Sequence, residues 1–256
     1  MAKIGLQLYT VRDHLAKDYI GTISAAKEMG YDGVEFPAGV MDNLNAYRLS
    51  ELLNELGLLL AGIVFDQNDL SAHMARVIEY CKASGCKTAI YPYIPDDLRR
   101  TKEEYVKIAD QINSFGAVLA LNGIRLLYHI HGYEFARFGE DTGLDILMDR
   151  FSPDNVGLEI DVYWVEHGGE DAVGFMESYA SRSPYIHFKD YADGFIDTEV
   201  GNGCIDCKSI ARIGLLHNAE WFIVEQEQFD KDSMESARIS QQNLRAIAAG
   251  AEGNQC

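Results

Sequence analysis

The chain has 256 residues, 47% of them hydrophobic and 24% charged, with a formal net charge of −18. That length supports one large core, and the acidic charge argues against nucleic acid or anionic membrane as partners, since both bind cationic surface. The N-terminus, MAKIGLQLYTVRD, lacks a signal peptide's apolar core, and no apolar run is long enough to span a bilayer, so a cytoplasmic location is expected. Five cysteines cannot all pair within one chain. Cys204 and Cys207 form a lone CxxC, and without a second pair free thiols are expected.

Strand and helix patterns alternate along the chain. Lys3–Tyr9 alternates as a strand and leads into a helix that runs to about Met29, with Gly30 as its stop. Tyr31–Phe36 is the second strand and Ala46–Leu56 the second helix, ended by Gly57. Leu58–Val64 reads as a buried parallel strand, and the spacing of Met74, Val77, Ile78 and Cys81 predicts a helix over Leu70–Ser84. Lys87–Tyr91 is stopped by Pro92 and Pro95, and Thr101–Leu121 is a long helix with Thr101 and Glu104 spaced for a capping box.

The fifth strand opens the stretch IRLLYHIHGYEF, Ile124–Phe135. A short helix follows near Gly143–Phe151, then a strand at Val156–Ile160 and a helix at Asp171–Tyr179. Pro184–Lys189 is the seventh strand, followed by a long loop through Gly203 and a helix near Lys208–Leu216. Glu220–Glu227 and Ser233–Ala249 are the last pair. Eight strand–helix units predict a (β/α)8 TIM barrel, with one domain over residues 1–256. An open doubly wound sheet would carry a glycine-rich loop after its first strand, and LYTVRD has none.

Side chains alternate across a strand, so His129 and His131 leave the same face, with Glu134 in the loop beyond. Elsewhere one parity is apolar (Ile4, Leu6, Val34, Leu158, Ile186, Phe222) and the other polar. The polar set comprises Gln7, Tyr9, Glu35, His129, His131, Glu159, Asp161, His187, Lys189, Glu225 and Glu227. So many ionisable groups are costly in a plain core unless paired, metal-bound or lining a pocket. His129, Asp161, His187 and Glu225 come from consecutive strands and are the candidate metal ligands. Two nitrogens and two carboxylates suit one divalent ion (Mn²⁺, Co²⁺, Fe²⁺, Mg²⁺ or Zn²⁺) better than Ca²⁺. The competing reading is structural: a salt bridge from Lys189 to Asp161 or Glu225, and His187 as a hydrogen-bonded core histidine. Glu35 and Glu159, deeper or farther along their strands, fit ion pairing as well as substrate contact.

The motifs LQLYTVRD, GYDGVEF, YHIHGYEF, VGLEIDVYWV, IHFKDY, VGNGCID and FIVEQEQ, in this order over nearly the whole chain, resemble the xylose isomerase-like barrel superfamily, often labelled sugar phosphate isomerase/epimerase. The resemblance implies one divalent metal on a Glu, Asp, His, Glu set, with Asp161, His187 and Glu225 taking the last three places. His129 falls where many relatives carry the first Glu. In ketose 3-epimerases of the superfamily the first and last Glu are the two acid–base groups, so here His131, Glu134 or Lys189 would stand in beside Glu225. LLLAGIVF also lacks the histidine some relatives carry at the end of the third strand.

The implied activity is isomerisation or epimerisation of a sugar or keto-sugar through an enediolate, with Glu225, His131, Glu134 and Lys189 as catalytic candidates. Gln7, Tyr9, Glu35, Tyr93 and Trp164 are the candidates for substrate binding. A lyase of the inosose dehydratase or 3-keto-glycoside type would begin from the same enediolate, and His129 in place of a carboxylate base leans toward it. The superfamily's endonucleases use several metals and more ligands, which seven histidines and a charge of −18 do not favour. A barrel that binds sugar without turnover is the remaining class. The expected partner is a small-molecule sugar, and the sequence allows a homo-oligomer without requiring one.

Overall fold

The computed structural model describes residues 2–253. Its centre is a closed barrel of eight parallel strands. These are β1 (Lys3–Gln7), β2 (Gly33–Phe36), β3 (Leu59–Val64), β4 (Thr88–Tyr91), β5 (Arg125–His129), β6 (Val156–Asp161), β7 (Tyr185–Phe188) and β8 (Trp221–Val224). Closure is direct: Lys3 lies opposite Trp221 and Leu6 opposite Val224, which rules out the open sheet. Between and after the strands run α1 (Tyr19–Glu28), α2 (Ala46–Leu56), α3 (Met74–Ser84), α4 (Lys102–Ala120), α5 (Gly143–Arg150), α6 (Ala172–Tyr179), α7 (Cys207–Leu216) and α8 (Ser233–Gly253).

The alternation in the sequence becomes two separate apolar layers. Ile4, Leu6, Val34, Leu158, Ile186 and Phe222 are fully buried in one cluster with helix residues such as Ile23, Leu49 and Ile112. Burial of each such side chain contributes about 1.5–3 kcal/mol. The opposite parity supplies a smaller cluster containing Val64, Ile90, Leu127, Tyr185, Trp221 and Ile223, which fills the barrel. Trp221 fits there because Gly33 has no side chain: a Cβ at Gly33 would lie 2.6 Å from the indole and 2.4 Å from the Leu59 carbonyl oxygen.

Several elements differ from the sequence reading. The first strand ends at Gln7, whose side-chain oxygen accepts from the Tyr9 N–H at 3.1 Å and starts a 3₁₀ turn, Leu8–Val11. Tyr9 is therefore off the strand. The first predicted helix is divided, with Asp18 capping α1 afresh. The helix expected over Leu70–Ser84 is also two, Gln67–Ala72 and α3, broken at His73. Asp66 opens the first piece with a capping box to Asp69, a stronger local start than continued apolar spacing. The Thr101–Glu104 capping box is formed as expected. The loop after β7 contains an antiparallel hairpin, Asp190–Ala192 with Ile196–Thr198. Cys204 and Cys207 are free thiols, the first exposed and the second buried at the start of α7; Cys256 lies outside the described residues. Among the described residues no helix is long and apolar enough to cross a membrane.

Candidate metal centre and cavity

The strands' C-terminal ends bring the expected ligands together. His129 ends β5, Asp161 ends β6, His187 lies in β7 and Glu225 follows β8. All four are buried, and one ligand atom from each lies within 4.8 Å of the others. Register explains the convergence: Asp161 is level with His187, and His129 is level with Glu159.

Local structure fixes each group. Asp161 caps the short helix Val162–His167, with Oδ1 accepting from Tyr163 N at 2.9 Å and Trp164 N at 3.3 Å. Its other oxygen, Oδ2, is buried without a partner and lies 3.8 Å from His129 Nε2. The far side of that ring, Nδ1, meets Glu159 Oε2 at 2.8 Å. His187 Nδ1 lies 2.7 Å from Glu225 Oε2, while Nε2 faces Glu35 Oε1 at 3.1 Å and Glu159 Oε1 at 3.4 Å. Gln7 Nε2 donates to Glu35 at 2.7 Å. The sequence reading set Glu35 and Glu159 apart from the cluster; instead their carboxylates lie directly against the two imidazoles.

Burial, with the neighbouring His187 charge, pushes the His129 pKa down to about 3. Burial pushes the Asp161 carboxyl up to about 7 against the pull of Lys189. Glu35 is raised to about 7 by burial and by the Glu159 charge. Burial would raise Glu225 too, but the His187 hydrogen bond outweighs it and holds the carboxyl well below its usual range. For His187 the surrounding carboxylates Glu159 and Glu35 overcome burial and raise it well above the ordinary imidazole value.

This donor set fits a divalent ion that takes the place of the proton the carboxylates hold on His187. A buried carboxylate oxygen with no hydrogen bond is costly unless a proton or a cation answers it, and Asp161 Oδ2 is such an atom. His129 Nε2 and His187 Nδ1 face the carboxylates, while their opposite ring nitrogens are held by Glu159 and Glu35. Carboxylate support behind ligating imidazoles is the usual outer layer of a metal site. The structural alternative is formed in part: Glu225 pairs with His187 at 2.7 Å and His187 is hydrogen-bonded on both ring nitrogens, but Lys189 bridges neither Asp161 nor Glu225. Lys189 pairs instead with Glu227 at 2.6 Å and Asp197 at 4.0 Å.

Above the cluster opens a cavity of about 470 Å³. His129, His187, Glu225 and His131 form part of its wall, and so do all of Gln7, Tyr9, Glu35, Tyr93 and Trp164. Tyr9 and Tyr93 stand on the rim, 43% and 52% exposed. His131 packs 4.8 Å from the His129 ring and 5.3 Å from Trp164, centroid to centroid, and its Nδ1 is buried without a partner. Two catalytic candidates stand behind the wall rather than on it. Glu134 is fully buried, accepting from the Tyr128 hydroxyl at 2.7 Å and the His131 N–H at 3.0 Å. Lys189 lies behind the Trp164 ring, 4.8 Å from its centroid. Asp66 lines the cavity and escaped the sequence reading, although Asp before a polar helix start is a recognisable cap signal.

Comparison with known proteins agrees with this geometry. The model of the xylose isomerase-like TIM barrel family matches residues 23–249. An inosose dehydratase from Geobacillus kaustophilus (strain HTA426) is 26% identical over 257 residues, covering 84% of this chain and 82% of that protein. Other inosose dehydratases align over about half of their own length. Among solved structures, a sugar phosphate isomerase/epimerase from Parabacteroides distasonis ATCC 8503 superposes with a TM-score of 0.85 at 19% identity, over 98% of this chain and 96% of that one. The IOLI protein with a binding zinc atom superposes at 0.77 and 14% identity, over 97% and 99%. The chain thus belongs to the xylose isomerase-like TIM barrel family and carries in its barrel mouth a buried His/Asp/Glu cluster suited to a divalent ion.

Proposed function

We propose that the protein is a divalent-metal-dependent isomerase or epimerase that moves a proton at the carbon beside the carbonyl of a sugar or keto-sugar. The observation that carries this is the unpartnered Asp161 Oδ2 within a four-residue donor ring at the floor of a sugar-sized cavity. A bound ion there would supply Lewis-acid stabilisation of negative charge on a carbonyl oxygen and its neighbouring hydroxyl oxygen. His129 serves as a neutral imidazole, in keeping with its lowered pKa. Glu225 reaches the cavity wall and is the base that takes the carbon-bound proton. His131, on the wall with an unpartnered Nδ1 and kept neutral because burial and the nearby His129 hold its pKa well below the ordinary imidazole value, is the second group of the proton exchange. Glu134 fixes His131 through its backbone N–H, and Lys189 steadies Trp164 and Glu227. Gln7 holds Glu35 and the Tyr9 backbone, and the rings of Tyr9, Tyr93 and Trp164 offer faces to a sugar ring.

One observation favours a second reading, a metal-dependent lyase. His129 stands where a second carboxylate base would be; Glu159 holds its Nδ1, and its Nε2 is aimed with Asp161 Oδ2 at the proposed ion, so neither nitrogen is free to act as that base. That removes one route for two-sided proton exchange and leaves elimination. The similarity to inosose dehydratases points the same way. A panel of keto-sugars and 3-keto-glycosides incubated with metal-loaded protein in D₂O separates the two. An isomerase or epimerase puts deuterium into a product of unchanged carbon skeleton, whereas a lyase releases water or an alcohol. No exchange and no elimination across the panel would sink both readings.

A further inference from the structure

The cavity wall is unusual in what it leaves out. It carries five carboxylates, Glu35, Asp66, Glu159, Glu225 and Glu227, and neither lysine nor arginine. Two cations stand close behind it, each screened by an aromatic ring. Arg12 lies 4.4 Å from the Tyr9 ring centroid, with its terminal nitrogens donating to the Tyr9 and Glu227 carbonyl oxygens. Lys189 sits behind Trp164 and is already paired with Glu227 and Asp197. A ligand in the cavity therefore meets ring faces and hydrogen-bond acceptors, not free cations.

A divalent ion in the site would answer Asp161 and Glu225, and Lys189 answers Glu227. Glu35 and Glu159 are each held by an imidazole through one oxygen and keep the other without a hydrogen-bond partner, and Asp66 also stands on the wall. Hydroxyl groups donate to carboxylates, and the C–H faces of a sugar pack on aromatic rings. A phosphate or carboxylate substituent is favoured by lysine or arginine donors, which this wall does not present, and would instead be repelled by its carboxylates.

We infer that the substrate is an uncharged polyhydroxylated sugar, carrying neither phosphate nor carboxylate, and that Asp66, the wall carboxylate held by neither an imidazole nor a lysine, enforces this selection. The inference rests on the proposed sugar-binding role of this cavity. It is tested with manganese-loaded full-length protein and matched pairs: D-fructose with D-fructose 6-phosphate, D-ribulose with D-ribulose 5-phosphate, and D-sorbitol with D-sorbitol 6-phosphate. Binding is read from tryptophan fluorescence, because Trp164 is on the wall. The neutral member of each pair should bind at least about tenfold more tightly, and the gap should shrink between about 0.02 M and about 0.5 M salt as screening increases. Asp66→Asn, which keeps a capping side chain, should narrow the gap as well. Phosphorylated members that bind as well as their partners would overturn the inference. So would a gap indifferent to salt, which signals size rather than charge, or a panel in which no neutral member binds. Neutral ketoses that bind without exchanging deuterium would sink the acid–base reading while leaving this selection standing.

Discussion

Asp161 and His129 face each other at 3.8 Å, carboxylate Oδ2 to imidazole Nε2, too far for a hydrogen bond and with nothing else bonded to the carboxylate oxygen. The other oxygen of Asp161 is fixed by two backbone N–H groups of the helix it caps. The free oxygen is thus aimed by the fold, and the same helix cap that orders Val162–His167 orders the candidate metal site.

Glu159 should act on the metal through His129. Its Oε2 holds Nδ1 at 2.8 Å, which sets the tautomer that leaves Nε2 available. Glu159→Gln keeps the shape but weakens that support. Metal affinity should fall by about 10–100-fold, with the ion still bound at saturating concentration. An unchanged affinity, measured by competition with a chelating dye, would remove Glu159 from the supporting layer.

His129 and His131 leave one face of one strand end, and it is His129 whose Nε2 faces Asp161 Oδ2 at 3.8 Å. His129→Ala should lose metal, whereas His131→Ala should retain it and lose turnover. Metal content and deuterium exchange measured on both variants side by side make the comparison. Metal retained in His129→Ala and lost in His131→Ala would show that the roles are reversed.

A different carboxylate governs acid stability. Burial would raise the Glu199 pKa, but hydrogen bonds from Lys231 at 2.6 Å and Ser236 at 2.8 Å outweigh it and lower the carboxyl from 4.5 to about 2. A depressed folded-state pKa stabilises above the unfolded value, and that contribution is lost as pH falls through the folded value. Wild type should therefore exceed Glu199→Gln in stability by about 1–3 kcal/mol near neutrality. The advantage should shrink between pH 4.5 and about 2. Urea denaturation of both proteins across that range checks the sign; an advantage that grows on acidification would contradict it.

The parity of polar residues at strand ends was enough to group the four candidate ligands that the fold brings together, because alternation is a local property of each strand. The places of Glu35 and Glu159 were not legible in the same way. They depend on the stagger between strands, which sets Glu159 of β6 level with His129 of β5 and lets Glu35 of β2 reach His187 across the barrel. No spacing within one strand encodes that. Lys189 shows the same limit: its parity suggested Asp161 or Glu225, but Glu227 and Asp197 of the hairpin loop capture it. Tyr9 left its strand because the preceding glutamine side chain began a turn, a choice made by one hydrogen bond.

His129, Asp161, His187 and Glu225 together are proposed to hold one divalent ion. Elemental analysis of wild type, Asp161→Asn and Glu225→Gln, dialysed together against the same metal buffer, tests it most directly. Circular dichroism on the same samples reports whether the fold survives. The account predicts one ion per wild-type chain and a loss of affinity of at least about 100-fold in both folded variants, since first ligands matter more than their supports. Folded variants that both keep the full metal complement would contradict it.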